Sequence, residues 1–167
     1  RDSDTGGQTQ YVLELVKSLA NTSEVDQVDL VTRSINDSKI DSSYSKKKEF
    51  IVPGAQILRF QCGPNKYLRK ELLWPYLDEF TQNLIQHYQK QENKPSFIHA
   101  HYADAGYVGV RLSQALKVPF IFTGHSLGRE KKRKLLEAGL KINQIEKLYC
   151  ISERINAEEE SLKYADI

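Results

Sequence analysis

The stretch SFIHAHYADAGYVGVRLSQALKVPFIFTGH, residues 96–125, contains a strand, a helix and a second strand in direct succession. Its two ends, SFIHAH and VPFIFTGH, have the length and the apolar content of buried strands. Between them, DAGYVGVRLSQALK repeats its apolar residues at helical spacing. Two strands joined by a helix form a βαβ unit, in which the strands run parallel. The stretch therefore predicts an α/β fold.

The same alternation extends over most of the chain. Further strands are predicted in QVDLVTR (27–33) and AQILRFQ (55–61). Helical spacing of apolar residues predicts further helices in QYVLELVKSLA (10–20), RKELLWPYLDEFTQNLIQHYQKQ (69–91), GREKKRKLLEAG (128–139) and NQIEKLYCISERINAEEESLKYA (143–165). The helix over 69–91 is expected to kink near Pro75, and the segment 143–165 holds one or two helices. The polar stretch 34–50 is predicted to be a surface loop.

Composition excludes several classes of protein. The 167 residues suffice for one domain with a sizeable core. A net charge of +2 is too small to indicate a nucleic-acid or membrane-surface partner. Cys62 and Cys150 lack metal-type spacing, so we interpret them as reduced thiols of a cytoplasmic protein, with one disulfide as the alternative. Since the chain has no Met and its last residues, LKYADI (162–167), stop where an apolar strand could begin, we expect the domain to be incomplete at both ends.

Three polar stretches stand between predicted strands and helices, and parallel sheets bind ligands at this edge. They are RDSDTGGQ (1–8), HAHYADAG (99–106) and TGHSLGRE (123–130). In the first, unpaired amides at the start of a helix can hold a phosphate or a sugar hydroxyl near Gly6, Gly7 and Gln8. The alternative is a glycine turn in which Thr5 or Asp4 caps the helix.

The second stretch places His99 and His101 on the same face of a strand. Two histidines can begin a metal site, but no third ligand is evident nearby, so a hydrogen-bonded buried pair is the favoured interpretation. Asp104 is predicted to cap the following helix, and the hydroxyl of Tyr102 is available at the mouth of the loop.

The third stretch places His125 directly after an apolar strand, and Ser126 is predicted to cap the basic helix that follows. Five cations between residues 129 and 134 cannot share one helix face, so only one or two can reach an anion in the cleft. Arg154 is a further candidate, with a surface salt bridge to Glu158 as the alternative. The residues alone therefore indicate an anion- and hydroxyl-binding cleft without naming a reaction.

Four stretches, taken in order, resemble the amino-terminal half of the catalytic core of sucrose-phosphate synthases. Members of this family are retaining GT-B glycosyltransferases of the family 4 type. The four stretches are RDSDTGGQTQYVLELVKSLA (1–20), GPNKYLRKELLWPYLDEF (63–80), HAHYADAGYVGVRLSQALKVPFIFTGHSLGREK (99–131) and ISERINAEEESL (151–162). The family is similar over most of the chain, except for residues 34–50. The motifs HSLGR and LWPYLDEF fit it better than they fit the related sucrose synthases.

The resemblance implies a Rossmann-like parallel sheet with helices on both faces, the amino-terminal half of a GT-B fold. Residues 1–167 would form the acceptor-binding domain, and the nucleotide-binding domain would lie outside this chain. The implied enzyme transfers glucose from UDP-glucose or ADP-glucose to fructose 6-phosphate, with retention, giving sucrose 6-phosphate. No cofactor, catalytic metal, nucleic acid or membrane is implied. We expect the chain alone to bind the acceptor weakly and not to catalyse transfer.

The resemblance also implies roles for particular residues. Catalytic roles fall to His125, which positions the transferred glucose, and to Gly7, whose amide stabilises charge on the leaving phosphate. The implied substrate-binding residues are Gly6, Gly7, Gln8, Lys70, Tyr102, His125, Lys131 and Arg154. Lys66 is the alternative to Lys70 in the phosphate site. Two other functions stay open: a sucrose synthase-like enzyme that uses free fructose, and a non-catalytic module that binds sugar phosphates.

Overall fold

The computed structural model describes residues 6–167. The chain divides into two compact units, Arg1–Tyr67 and Leu68–Ile167, and each has a sheet that contains a parallel strand pair, with one helix in the first unit and several in the second. The predicted mixed α/β fold with parallel strands is therefore confirmed. The expected meeting of the three polar stretches at one sheet edge spans both units and stays a prediction.

The first unit contains one helix and a three-stranded sheet. In chain order its elements are α1 (Gly6–Ala20), β1 (Val28–Arg33), a 3-10 turn (Ser42–Ser45), β2 (Lys48–Val52) and β3 (Ala55–Phe60). The strand order is β1-β3-β2, with β1 parallel and β2 antiparallel to the central β3. Strand β1 confirms the segment predicted from QVDLVTR, and β3 confirms the one predicted from AQILRFQ.

Strand β2 corrects the end of the loop predicted over residues 34–50, because it begins at Lys48 and runs to Val52. Lysines and serines dominate that stretch, so its alternation of exposed and partly buried residues gave no clear strand signal. The turn at Pro53-Gly54, in which Gly54 has φ 79°, joins β2 to β3 as a hairpin. Glycine adopts such a positive φ without strain, and this dipeptide was the signal available in the sequence.

The second unit contains five helices and a two-stranded sheet. In chain order its elements are 3-10 turns at Lys70–Leu72 and Trp74–Tyr76, α2 (Leu77–Gln89), β4 (Ile98–His101), α3 (Ala103–Leu116), β5 (Phe120–Thr123), α4 (Gly128–Glu137), α5 (Ile142–Tyr149) and α6 (Ile151–Tyr164). Strands β4 and β5 run parallel with α3 between them, as the βαβ pattern predicted. Their core holds Ala100, Val110 and Phe120.

One helix prediction in this unit needs correction, and another is confirmed in one of its two forms. The long helix over 69–91 begins only at Leu77, because Pro75 lies in a 3-10 turn and cannot donate a backbone hydrogen bond. The segment 143–165 forms two helices, which separate at Cys150, where φ is 43°. A left-handed residue ends one helix and redirects the chain into the next. None of the helices within residues 6–167 has both the length and the apolar character needed to cross a bilayer.

Candidate functional site

A pocket in the second unit gathers three cationic side chains from three separate elements. Lys70 comes from the first 3-10 turn, Lys131 from α4 and Arg154 from α6. The pocket walls are completed by Trp74, Tyr102, Tyr149, Glu71 and Asp104. We call this site the cation pocket. All four residues predicted for acceptor phosphate from this unit, the three cations and Tyr102, therefore lie together.

The aromatic ring of Tyr102 contacts two of the three cations of the cation pocket. The Nζ of Lys70 is 5.1 Å from the ring centroid, and the Cζ of Arg154 is 4.5 Å from it. Tyr102 has φ 80°, a backbone conformation that costs a non-glycine residue of order 1–3 kcal/mol. Burial raises the pKa of its phenol to about 12, although nearby Arg154 opposes the shift. The hydroxyl therefore stays protonated and can donate a hydrogen bond to a ligand oxygen.

Lys131 projects from the first turns of α4 toward an aromatic residue of α5. Its Nζ lies 4.2 Å from the centroid of the Tyr149 ring. A cation over an aromatic face is attracted by the ring quadrupole, so Tyr149 holds Lys131 on the pocket side. Sequence reasoning did not single out Tyr149, because the contact joins two helices and leaves no local pattern.

Arg154 is the most deeply buried cation of the pocket, with 4% of its surface exposed. Its Nε donates to Oε1 of Glu158 at 2.9 Å, and its Nη2 donates to both the carbonyl and the Oγ of Ser126, at 2.7 and 2.9 Å. The predicted pair with Glu158 therefore exists, but it is buried and not at the surface. The reason is that this face of α6 packs inward, together with Ile151 and Ala157.

Two predicted helix caps are wrong. Asp104 lies inside the first turn of α3 and accepts from the adjacent amide of Ala105 at 2.8 Å, so it does not cap the helix from outside. Ser126 precedes α4 by two residues, and the carboxylate of Glu158 accepts from the first helical amide, that of Gly128, at 2.6 Å. A residue distant in sequence thus performs the capping that a local pattern suggested for Ser126.

Three histidines cluster where β4 and β5 end. The rings of His99 and His101 have centroids 4.1 Å apart, and Nδ1 of His101 lies 3.1 Å from Nε2 of His125. Nε2 of His99 lies 2.8 Å from the Oγ1 of Thr123. The predicted hydrogen-bonded pair on one strand face is thus part of a larger cluster. Across residues 6–167, no group of three His, Cys, Asp or Glu side chains is arranged to hold a metal ion.

All three histidines favour the neutral form. Burial lowers the pKa of His101 to about 4, with smaller contributions from His99 and His125. Burial also lowers the pKa of His99 and of His125. His125 follows β5 with φ 56°, in the left-handed region, and the contact of its Nε2 with His101 holds its ring. A neutral imidazole held in this way can orient a sugar hydroxyl without acting as an acid.

The glycine stretch lies in the first unit, where α1 begins at Gly6. The first amides of a helix have no intrahelical acceptor, so the start of α1 is where an anion or a hydroxyl is expected to bind. A Cβ added at Gly7 would meet no atom within 4 Å, so packing within the described residues does not require glycine there. The predicted caps Asp4 and Thr5 lie outside the described residues.

Lys66, the alternative to Lys70, belongs to a loop of the first unit that is fixed by a buried arginine. Arg33 donates from Nε to the carbonyl of Cys62 at 2.7 Å and from Nη2 to the carbonyl of Lys66 at 2.9 Å, and it also binds the carbonyl of Pro64. Lys70, in contrast, belongs to the second unit and lines the cation pocket there. Sequence reasoning missed Arg33, because a lone arginine at a strand end has no distinguishing spacing.

Comparison with known proteins gives consistent matches. Residues 6–148 match the glycosyl transferase 4-like domain. The chain is 43% identical over 189 residues to sucrose-phosphate synthase 4 of Arabidopsis thaliana, and 40% identical over 193 residues to a sucrose-phosphate synthase of Zea mays. Each match covers 100% of this chain but only 18% of the relative, so the chain spans about a fifth of the length of these curated relatives.

A solved structure agrees with these matches. The sucrose-phosphate synthase from Thermosynechococcus elongatus superposes with a TM-score of 0.71 at 26% sequence identity, covering 96% of this chain and 36% of that one. The resemblance that the sequence motifs predicted is therefore confirmed both in sequence and in fold.

Proposed function

The chain belongs to the glycosyl transferase 4-like domain family, and on this premise we propose that it forms the acceptor side of a sucrose-phosphate synthase. In the proposed reaction, glucose moves from UDP-glucose or ADP-glucose to fructose 6-phosphate with retention of configuration. The products are sucrose 6-phosphate and the nucleoside diphosphate. The proposed enzyme acts in the cytoplasm and uses no catalytic metal.

The observation that carries this proposal is the cation pocket. Lys70, Lys131 and Arg154 come from separate elements of the chain and line one pocket together with Tyr102, whose hydroxyl is protonated. A phosphate dianion needs such a set, since arginine offers a planar fork and the lysines add compact positive charge. A neutral sugar acceptor has no comparable use for three cations.

In this proposal, phosphate enters the cation pocket when the two lysines exchange their aromatic partners for phosphate oxygens. Its cavity volume is about 10 Å³, which is room for about one water molecule. Lys70 and Lys131 now lie over the rings of Tyr102 and Tyr149, and such contacts are weak compared with a charge-assisted hydrogen bond. The flexible lysine stems can therefore leave the rings for the phosphate oxygens and open the pocket. Arg154 keeps its position, because Ser126 and Glu158 hold it.

The remaining roles belong to the glucose and the leaving group. We assign the orientation of the glucose to the neutral ring of His125, and the stabilisation of the leaving diphosphate to the amides of Gly6, Gly7 and Gln8. Amides fixed at a helix start are preorganised donors, so they stabilise developing charge without reorganising. In this assignment His125 transfers no proton, in keeping with its lowered pKa.

The test is glucosyl transfer by the full-length gene product, with fructose 6-phosphate compared with fructose. We expect a strong preference for the phosphorylated acceptor. Lys131→Ala and Arg154→Ala should each raise KM for fructose 6-phosphate by about tenfold or more, since each removes a charge-assisted hydrogen bond. Lys134→Ala is the matched control on the same helix, because Lys134 is 69% exposed and pairs with Glu130.

Equal use of both acceptors, with no effect of the pocket substitutions, would contradict the proposal. That result would favour a sucrose synthase-like enzyme. Binding of fructose 6-phosphate without any transfer would favour a non-catalytic module.

A further inference from the structure

Glu158 has a separate partner for each of its carboxylate oxygens. Oε1 accepts from Nε of Arg154 at 2.9 Å, and Oε2 accepts from the backbone amide of Gly128 at 2.6 Å. Glu158 is 4% exposed and Arg154 is also 4% exposed. One carboxylate on α6 thus binds both the buried cation of the pocket and the first amide of α4.

Arg154 closes these contacts into a ring. Its Nη2 donates to the carbonyl and the Oγ of Ser126, which directly follows His125 and stands two residues before Gly128. The segment 125–128 is therefore held at one end by Arg154 and at the other by Glu158. Among residues 6–167, Nη1 of Arg154 has no hydrogen-bond partner, so this atom is available to a ligand in the pocket.

We propose that Glu158 is a positioning residue that couples the acceptor phosphate to glucose transfer. It fixes the guanidinium of Arg154 and, through the ring with Ser126 and Gly128, ties that guanidinium to the segment that carries His125. The proposal rests on the proposed function, because it assigns the phosphate of the acceptor to Arg154. Phosphate bound by Arg154 then stabilises the orientation of His125.

The contacts require a carboxylate at position 158. Both oxygens accept hydrogen bonds, and the Arg154 charge is balanced within the protein interior. An amide offers only one acceptor oxygen, and its NH₂ group would face either the guanidinium or the Gly128 amide, both of which are donors. Glu158→Gln therefore keeps the size of the side chain but breaks one side of the ring.

The coupling should affect the rate as well as binding. Binding energy from a part of the substrate that does not react can be used to orient the reacting groups, in which case its loss lowers kcat. If phosphate only anchored the acceptor, weakening Arg154 would raise KM alone. Because the ring reaches the segment of His125, we expect Glu158→Gln to lower kcat with fructose 6-phosphate in addition to raising KM.

The first experiment measures steady-state transfer to fructose 6-phosphate and to fructose by the full-length gene product. Glu158→Gln should lower kcat/KM for fructose 6-phosphate by about tenfold or more, while the value for fructose falls by less than about threefold. The matched control is Glu159→Gln. Glu159 is the next residue on α6 but pairs with the exposed Arg129, so the ratio of the two acceptors should not change.

The second experiment divides the acceptor into two parts, free fructose and a separate dianion. Phosphite dianion added to the fructose reaction should activate the unsubstituted enzyme, because it fills the cation pocket without being part of the acceptor. Glu158→Gln should lose most of this activation. Ser126→Ala, which removes one contact and keeps the carbonyl, should lose part of it. This mild variant also provides the test if Glu158→Gln does not fold.

The outcomes separate the two hypotheses. An equal loss with both acceptors, or undiminished phosphite activation in Glu158→Gln and Ser126→Ala, would overturn the role of Glu158 and leave the proposed function intact. If the unsubstituted enzyme does not prefer fructose 6-phosphate, the proposed function fails, and the role of Glu158 fails with it.

Discussion

Two arginine–glutamate pairs in the second unit share the same chemistry and the same spacing of four residues, but their surroundings differ. Arg154 and Glu158 meet at 2.9 Å with 5% of each side chain exposed. Arg133 and Glu137 meet at 2.5 Å with 55% and 59% exposed. The shorter distance belongs to the pair that contributes less, because water screens the attraction between exposed charges.

The difference shows what each pair does. An exposed pair on one helix costs little to form and little to lose. A buried pair must first give up its hydration, so replacing it with apolar side chains is often neutral or stabilising. Stability alone therefore does not explain Arg154 and Glu158. The proposed function accounts for them, since Arg154 lines the cation pocket and a buried charge held by fixed partners is oriented for a ligand.

The largest expected effect comes from breaking the buried pair. Glu158→Ala leaves the guanidinium of Arg154 buried without a counter-charge, and we expect a loss of about 3–5 kcal/mol in the free energy of unfolding. Urea unfolding followed by circular dichroism measures this loss. Glu137→Ala, at the matched exposed position, is the control and should leave the urea midpoint almost unchanged. Similar midpoints for the two variants would remove the distinction between the pairs.

A smaller effect is expected when both buried partners are replaced together. Arg154→Met combined with Glu158→Leu removes the charges but keeps the volume, so the double variant should regain about 2 kcal/mol relative to Glu158→Ala. Full recovery is not expected, because the amide of Gly128 loses its acceptor. The same urea titration tests this recovery. A double variant as unstable as Glu158→Ala would mean that the hydrogen bonds to Gly128 and Ser126, and not the balance of charge, account for the loss.

The double variant also separates stability from function. We expect it to lose the preference for fructose 6-phosphate even as its stability recovers. A stable variant that kept this preference would show that the buried pair has no part in the phosphate site.

The pH dependence of stability tests whether burial lowers the pKa of His101. Burial lowers the pKa of His101 from 6.5 to about 4, which disfavours its charged form in the folded protein. The unfolded chain thus binds the proton first, so the stabilisation is present above about pH 6.5 and is lost as pH falls from there toward 4. His101→Asn should weaken the dependence of the urea midpoint on pH between about 6.5 and 4, since the asparagine amide stands where Nδ1 was but does not titrate. An unchanged slope would contradict burial as the cause.

Much of the second unit could be predicted from the sequence. The βαβ stretch gave parallel strands β4 and β5, because strand and helix periods differ clearly there. The spacing of four residues also predicted that Arg154 meets Glu158. Burial of the pair could not be predicted, because it depends on which face of α6 packs inward. That face mixes apolar residues with Arg154, Glu158 and Ser161, so no continuous apolar stripe marks it.

The errors share a physical cause. Ser126 and Asp104 have the residue types of helix caps. The carboxylate of Glu158 accepts from the first amide of α4 in place of Ser126, and Asp104 lies inside the first turn of α3 and therefore cannot cap it. Strand β2 was missed because its partner β3, and not its own composition, determines its conformation. In each case the surroundings of the residue in the fold overrode its local preference.

The smallest expected effect belongs to the exposed side of the comparison. Arg133 hydrogen-bonds Glu130 as well as Glu137, and this contact lowers the pKa of Glu130 to about 2. The stabilisation is therefore present above the ordinary glutamate pKa of 4.5 and is lost as pH falls toward 2. Both side chains are about half exposed, so solvent should reduce the effect to a slight change.

Arg133→Ala should shift the urea midpoint slightly at neutral pH and low salt, and not at all in 1 M salt, where the screening length is about 3 Å. The same salt should leave the loss caused by Glu158→Ala in place, because that pair lies out of reach of the ions. A salt-sensitive Glu158→Ala would place both pairs in the same environment and end the comparison.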